Sequence, residues 1–331
     1  MYDVITIGAA TRDVFLLSDH FHVAKEKHLS SDSEVLYFNL GSKNELSEVI
    51  LTTGGGATNA AVTFARQGFK VACVCRVGDE ESGHDVVRAL KYEGVVTNFI
   101  QHDAKAPTAY STILTTKEGE RVILVKRGAS DHIKAKEIPF QKIRTKWFYI
   151  SSLAGDIALL KRIVAEAKKM NARVAVNPGR LELEKGFSAL APILKNIDVL
   201  FINQEEAAQL TGISYVDEKL IFEKLDAAVR GIVAMTKGPG GVVVSDGAYQ
   251  YSAGIPKAPI VGRTGAGDAF GSGFVAGLLH KNDIAFSMIL GTANATSVIQ
   301  HLSAKRGILE KGKWGKWPRI SVIKKALKNH G

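Results

Sequence analysis

From about residue 147 onward, short apolar runs alternate with amphipathic stretches. The runs at 147–151, 173–177, 199–203 and 232–236 have strand length, while 157–170, the stretch after 203 as far as Gly212, and 217–230 carry helical spacing. Such alternation predicts a parallel sheet covered by helices on both faces. Two earlier runs join it: 4–8, and 71–77, which is followed by Gly78-Asp79 and a helix over about 82–94. After Gly238-Pro239-Gly240-Gly241 the pattern turns to an antiparallel pair at 242–245 and 249–253, then to helices near 268–280 and 284–301.

Two stretches break this rhythm. Residues 14–17 continue in extended character, and 18–53 are polar and irregular, with strand-like 34–40 and 48–53 and no helical period. Residues 108–116 and 120–126 alternate around Lys117-Glu118-Gly119, which predicts a hairpin. These β excursions, at about 13–53 and 97–130, are expected to form a lid over a ligand, and a homodimer through that lid is expected.

Composition refines the picture in three places. With 331 residues, 46% of them hydrophobic, the chain can bury a large core, and the expectation is one α/β domain over 1–310. Cys73 and Cys75 alternate along one strand and point to one face, so they are expected as buried, reduced thiols. The net charge of +10 is concentrated near the end: Lys311, Lys313, Lys316, Arg319, Lys324, Lys325 and Lys328 stand in a segment without an acid. That predicts a solvated basic tail over 311–331 rather than a nucleic-acid surface, although Trp314 and Trp317 interleave with the lysines. The N-terminus reads as a strand and not as a signal peptide, and no run of about 18 apolar residues exists, so a cytoplasmic protein without a membrane span is expected.

Two glycine-rich stretches run into helices built of small residues. In Thr264-Gly265-Ala266-Gly267-Asp268, the backbone can turn sharply and aim N–H groups at one point, where a helix N-terminus adds its positive end. Asp268 beside such an anion site is either an ordinary capping acid or a general base. In Gly54-Gly55-Gly56-Ala57-Thr58-Asn59, Asn59 can donate and accept in the first helical turn, which suits a polyhydroxylated ligand approached by backbone. Asp13, Asn177, Asn203 with Glu206, and Thr236-Lys237 fall at strand ends, where open α/β sheets bind ligands. As a set they favour a nucleotide and a second small molecule, with Glu206 linked to Mg²⁺ through water. Lys126 and Arg127 end the second excursion, and each is either a contact to an acidic or hydroxyl group of a bound ligand, the role expected of Arg127, or a solvated charge.

These motifs together resemble the ribokinase or PfkB family of carbohydrate and nucleoside kinases. The matching residues are the strand leading to Asp13, Gly54 to Asn59 for the family's G-G-x-G-x-N, Arg76-Val77-Gly78-Asp79 with Gly83, Asn177-Pro178-Gly179-Arg180, Asn203-x-x-Glu206, Thr236 to Gly241, and Thr264 to Phe270. The resemblance implies a ribokinase-like fold and a kinase that uses ATP and Mg²⁺ on a small hydroxyl acceptor. It makes Asp268 the catalytic base and the amides of Gly265, Ala266 and Gly267 the anion hole. Asp13, Gly55, Gly56 and Asn59 would hold the acceptor. Asn203, Thr236, Lys237, Gly238, Gly241, Gly267 and Asn294 would serve the nucleotide, and Glu206 the metal.

One departure stands out. The family has an acid ahead of the turn, D-T-x-G-A-G-D, where this chain has Gly262-Arg263-Thr264. That acid is associated in the family with a monovalent-cation site, so potassium dependence is in doubt. A free sugar or sugar acid is the first expectation for the acceptor and a nucleoside the second. A catalytically silent nucleotide- or nucleic-acid-binding protein is the remaining alternative, which the intact Asp268 turn opposes.

Overall fold

The apolar runs assemble into one sheet of nine strands. In a computed structural model that describes residues 1–26, 33–116 and 121–327, the spatial order is Ile323–Ala326, Tyr249–Ala253, Val242–Ser245, Ile232–Thr236, Val199–Asn203, Arg173–Val176, Thr145–Ile150, Tyr2–Ile7, Val71–Val74. From Val71–Val74 to Ile232–Thr236 all neighbours are parallel, and the remaining three strands add antiparallel.

Alternate side chains of each parallel strand enter two separate cores. Val4, Cys73, Tyr149, Ala175, Phe201 and Ala234 face one layer, with the helices Gly56–Arg66, Ala266–Lys281 and Ile284–Val298. Ile5, Val74, Phe148, Val176, Leu200 and Val233 face the other, with Ile157–Lys169, Phe187–Leu194, Gln204–Thr211 and Glu218–Ala228. Burial on both faces explains why these strands read as continuous apolar runs. The first layer is thin because its helices approach closely. A Cβ on Gly277 would lie 2.5 Å from Ser287 Cα, so the small residues of Ala266–Lys281 let two helices pack almost backbone to backbone.

The two β excursions interleave in one four-stranded sheet, ordered Arg121–Lys126, Ala109–Thr115, Thr11–Leu17, Glu48–Gly54. Its register sets Asp13 opposite Thr52 and Ser111 on one face, and Arg12 opposite Thr53 on the other. The hairpin turn expected at Lys117-Glu118-Gly119 lies outside the described residues.

Three details differ from the sequence reading. The strand-like 34–40 is paired, as Ser33–Tyr37, with an unforeseen strand His22–Glu26. The run 71–77 divides, Val71–Val74 joining the main sheet and Arg76–Gly78 pairing with Gln101–Asp103, where Arg76 meets Asp103 at 2.9 Å and Glu137 at 2.8 Å. The free thiols of Cys73 and Cys75 are buried. The described basic residues of the tail are exposed, yet its backbone is tied to the domain. Trp314, Ile320 and Val322 pack on the first core, and Ile323–Ala326 completes the sheet edge. The cause is aromatic: Lys324 Nζ stands 3.8 Å from the centre of the Tyr249 ring, and the Arg319 guanidinium 4.7 Å from that of Trp314. Lys328 lies outside the described residues. No helix among the described residues is long and apolar enough to cross a membrane.

Candidate active site

The anion turn is built from a constraint on Gly265. It caps the helix Ala266–Lys281 at φ 80°, a left-handed conformation that side-chain-bearing residues avoid, and a Cβ there would lie 2.4 Å from Ala304 Cβ. Gly267 differs, since a Cβ on it would meet nothing within 4 Å. Open space therefore faces the first helical turn, where N–H groups lack intrahelical partners and the helix dipole is positive.

Asp268 stands in that turn, half-buried. Its Oδ2 accepts a hydrogen bond from Asn59 Nδ2 at 2.9 Å, which joins the two glycine-rich helix starts. Asn59 is buried, and its Oδ1 has no partner among the described residues. The helix Gly56–Arg66 begins after Gly55 at φ 95°, where a Cβ would press Ala9 O at 2.4 Å. A Cβ on Gly56 would crowd Ser151 Cβ at 2.7 Å and Asp268 Oδ1 at 3.1 Å. Asp13 is buried nearby, its Oδ1 accepting from Thr11 Oγ1 at 2.8 Å and its Oδ2 lying where a Cβ on Gly54 would fall.

On the other side of Asp268 a cavity of about 560 Å³ runs along the sheet's carboxyl edge, past Asn203, Glu206, Thr236, Lys237, Gly238 and Gly265. Asn203 and Thr236 are register partners at the ends of adjacent strands. It meets a second, mostly apolar chamber of about 240 Å³ at Thr236, Gly238, Gly267 and Phe270, lined further by Gly241, Val242, Ile255, Ile260 and Ile299. A flat apolar group has a place in the chamber, anionic groups along the turn, and a reacting oxygen at Asp268.

Residues 8–311 match the family described as pfkB family carbohydrate kinase. The chain belongs to this family. It is a kinase, a phosphotransferase with an alcohol group as acceptor, of the ribokinase-like group that acts on sugars and nucleosides. Its relatives include an uncharacterised sugar kinase of Archaeoglobus fulgidus, 28% identical over 74% of this chain and 97% of that protein. The ribokinase of Haemophilus influenzae is 27% identical over 77% of this chain and 83% of its own length. Among solved structures, the adenosine kinase of Sinorhizobium meliloti superposes with a TM-score of 0.75 at 22% identity, covering 92% of this chain and 95% of that one. The Arabidopsis thaliana ribokinase, solved with ribose and ATP, gives a TM-score of 0.75 at 18% identity, over 93% and 96%.

The electrostatics of the kinase site centre on a residue that sequence reasoning missed. Lys305, buried, donates from Nζ to Thr53 Oγ1 at 2.7 Å, and burial lowers its pKa to about 8. Burial raises the carboxyl of Asp268, while the Asn59 hydrogen bond and the Lys305 charge pull it down and the Asp13 charge adds to the rise. Burial likewise raises Asp13, against the Thr11 hydrogen bond and Lys305. Nothing local in the sequence marks Lys305, because its burial comes from strands some 250 residues earlier. Ser151 was missed too: its buried Oγ, beside Gly56, has no partner among the described residues.

Of the expected ligand residues, Asp13, Gly55, Gly56 and Asn59 line neither cavity and gather beside Asp268, while Asn294 and Arg127 line neither and have other partners. Asn294 is 1% exposed and spends its amide on protein: Nδ2 donates to Ala269 O at 2.9 Å and to Thr63 Oγ1 at 3.3 Å, and Oδ1 accepts from Leu309 N at 2.9 Å. It ties helices together and lines neither cavity. Arg127 is 54% exposed, stands 3.7 Å from Asp131, and also lines neither cavity. Lys237 lines the larger cavity with its ammonium paired to Glu218.

Proposed function

We propose that this kinase transfers the γ-phosphate of ATP to a hydroxyl of a small sugar or sugar acid, with Asp268 as general base. The observation that carries the reading is the 2.9 Å hydrogen bond from Asn59 to Asp268. It sets the base at the junction between a polar acceptor corner and an anion-binding turn. The acceptor corner comprises Asp13, Gly55, Gly56 and Asn59, and beside it Asn59 Oδ1 and Ser151 Oγ are buried without a partner among the described residues. A hydroxyl held there lies within reach of Asp268, which takes its proton as the oxygen attacks phosphorus in line. The amides of Gly265, Ala266 and Gly267 then meet charge that spreads over the transferring group. Asn203, Thr236, Lys237, Gly238, Gly241 and the apolar chamber hold the nucleotide.

Mg²⁺ fits the residues present. Among the described residues no group of three or more His, Cys, Asp or Glu could cage a metal, and Mg²⁺ requires none, since it keeps waters and uses one or two carboxylates with substrate phosphates. Glu206 is the suitable carboxylate: it lines the cavity, its Oε2 accepts from Asn203 N at 2.9 Å, and burial raises its pKa, a cost that a nearby cation relieves. Bound there, the metal would neutralise phosphate charge.

The lid also supports a homodimer. Leu51 is 60% exposed and Leu124 55%, with Val49 and Val122 on the same face of the four-stranded sheet. The test of the function is a phosphoryl-transfer assay with ATP and Mg²⁺ on a panel of sugars, sugar acids and nucleosides. Turnover highest on a sugar or sugar acid supports the reading; turnover confined to nucleosides replaces the acceptor, and none on any member sinks it.

A further inference from the structure

Another cleft, of about 660 Å³, opens between the edge strand Glu48–Gly54 of the lid sheet, the helix Glu81–Tyr92 and residues 303–306, and shares no lining residue with the two cavities of the kinase site. Five basic side chains line it, Arg12, Arg66, Arg88, Lys305 and Arg306, against the carboxylates of Asp85 and Glu93. Both carboxylates are taken. Arg12 meets Asp85 at 2.9 Å, Arg66 meets Glu93 at 2.6 Å, and Arg88 also closes on Asp85. Lys305 and Arg306 have no carboxylate at ion-pair distance among the described residues.

Lys305 is the unusual member. It is 8% exposed, yet its ammonium has Thr53 Oγ1 as its one hydrogen-bond acceptor among the described residues, which leaves two of three donors open. A buried cation is stable only when its charge and donors are met. Arg306, the next residue, is exposed on the same cleft and presents a planar fork of donors.

We propose that this cleft binds a small oxyanion, a phosphate ion or the phosphate of a monoester, between Lys305 at its base and Arg306 at its rim. Two cations without a direct carboxylate partner match a dianion, with Lys305 feeling Asp13 and Asp268 only at longer range, whereas a single carboxylate would leave one of them unmet. Arg306 supplies a bidentate contact and Lys305 a point charge, the pairing that phosphate geometry favours. The site is physically tied to the anion turn, because Ala304, one residue before Lys305, packs against Gly265.

The test is thermal unfolding of the full chain titrated with inorganic phosphate, with glycerol phosphate, and with chloride at matched ionic strength. A saturable rise in Tm with either phosphate and not with chloride is expected, and which of the two acts tells the free ion from the ester. Arg306→Ser and Lys305→Met should each weaken the apparent affinity by about tenfold to a hundredfold, the worth of one hydrogen bond to a charged group. Phosphate bound at the anion turn adds a part that Arg306→Ser does not touch, so the difference between wild type and this variant measures the cleft. Lys305→Met changes a buried residue and is read only if the variant folds; Arg306→Ser, on the surface, decides the matter alone. No saturable shift beyond chloride, or an Arg306→Ser curve superimposable on wild type, overturns the proposal.

Discussion

Two helices that meet at the site of this kinase begin at a glycine with positive φ that protein hems in, and the residues that follow each glycine differ. At Gly55 the space is filled by protein: Ala9 lies where a side chain would go, and Ala57, Thr58 and Asn59 are buried. After Gly265 the next glycine, Gly267, faces open space at the meeting of two cavities. The same sequence pattern thus gives a packed start that positions a side chain, Asn59, and a start that opens onto two cavities at Gly267. Asp268 is the point where they touch.

Removing that point should have the largest effect. Asp268→Asn keeps the shape and the helix start but removes the proton acceptor, and general base catalysis contributes roughly 10²- to 10⁴-fold. Steady-state kinetics should show the loss in kcat, with calorimetric ATP binding close to wild type. A variant that keeps more than about a tenth of wild-type kcat would dismiss Asp268 as the base.

A matched pair of alanines then separates the two starts. Gly267→Ala should leave Tm nearly unchanged, because its methyl meets no protein atom within 4 Å, yet cost roughly 10²-fold in kcat/KM by displacing the group that the turn holds. Gly55→Ala should do the reverse in kind, costing about 1–3 kcal/mol of stability, since both its φ of 95° and the contact with Ala9 O oppose a side chain. Thermal denaturation and kinetics on both proteins give the comparison; equal Tm losses would erase the distinction between open and packed.

The acid limb of the pH–rate profile is a gentler probe. Burial raises the Asp268 carboxyl, so it takes up a proton at a higher pH than an ordinary aspartate and the base is lost as pH falls through that raised value. The limb should therefore lie above the ordinary carboxylate range near pH 4. Asn59→Leu removes the hydrogen bond that favours the charged form and should move the limb further up. A shift downward would contradict this account of the pair.

Much of this arrangement was legible in the chain because local period and local glycines decide it. Strands buried on both faces announce the parallel sheet, and Gly265 to Asp268 announces the open turn. What was not legible depends on distant partners. Asn294, a polar residue in an apolar helix, resembles a ligand contact until Leu309, Ala269 and Thr63 are seen to use its amide. Lys305 looks like a solvated loop charge until Thr53 and the four-stranded sheet cover it. The lysines near the end concealed an edge strand, since one of them, Lys324, lies over the rings of Tyr249 and Tyr251.

Potassium gives the smallest expected effect and the last way to sharpen the contrast between the starts. An open anion turn gains from a positive charge behind it, and the family resemblance implies an acid there, associated with a monovalent-cation site. Here position 262 is glycine, its N–H bonded to Ile299 O at 3.0 Å, and a Cβ would already stand 3.1 Å from His301 O. The next residue, Arg263, lines the apolar chamber beside Gly267. Its guanidinium is covalently fixed and is not lost on dialysis, so replacing K⁺ by a large organic cation at constant ionic strength should change kcat/KM by less than about twofold. Arg263→Gln should lower the rate whether or not K⁺ is present. If removing K⁺ instead costs severalfold in wild type, backbone carbonyls hold the ion without the acid, and Arg263 does not stand in for it.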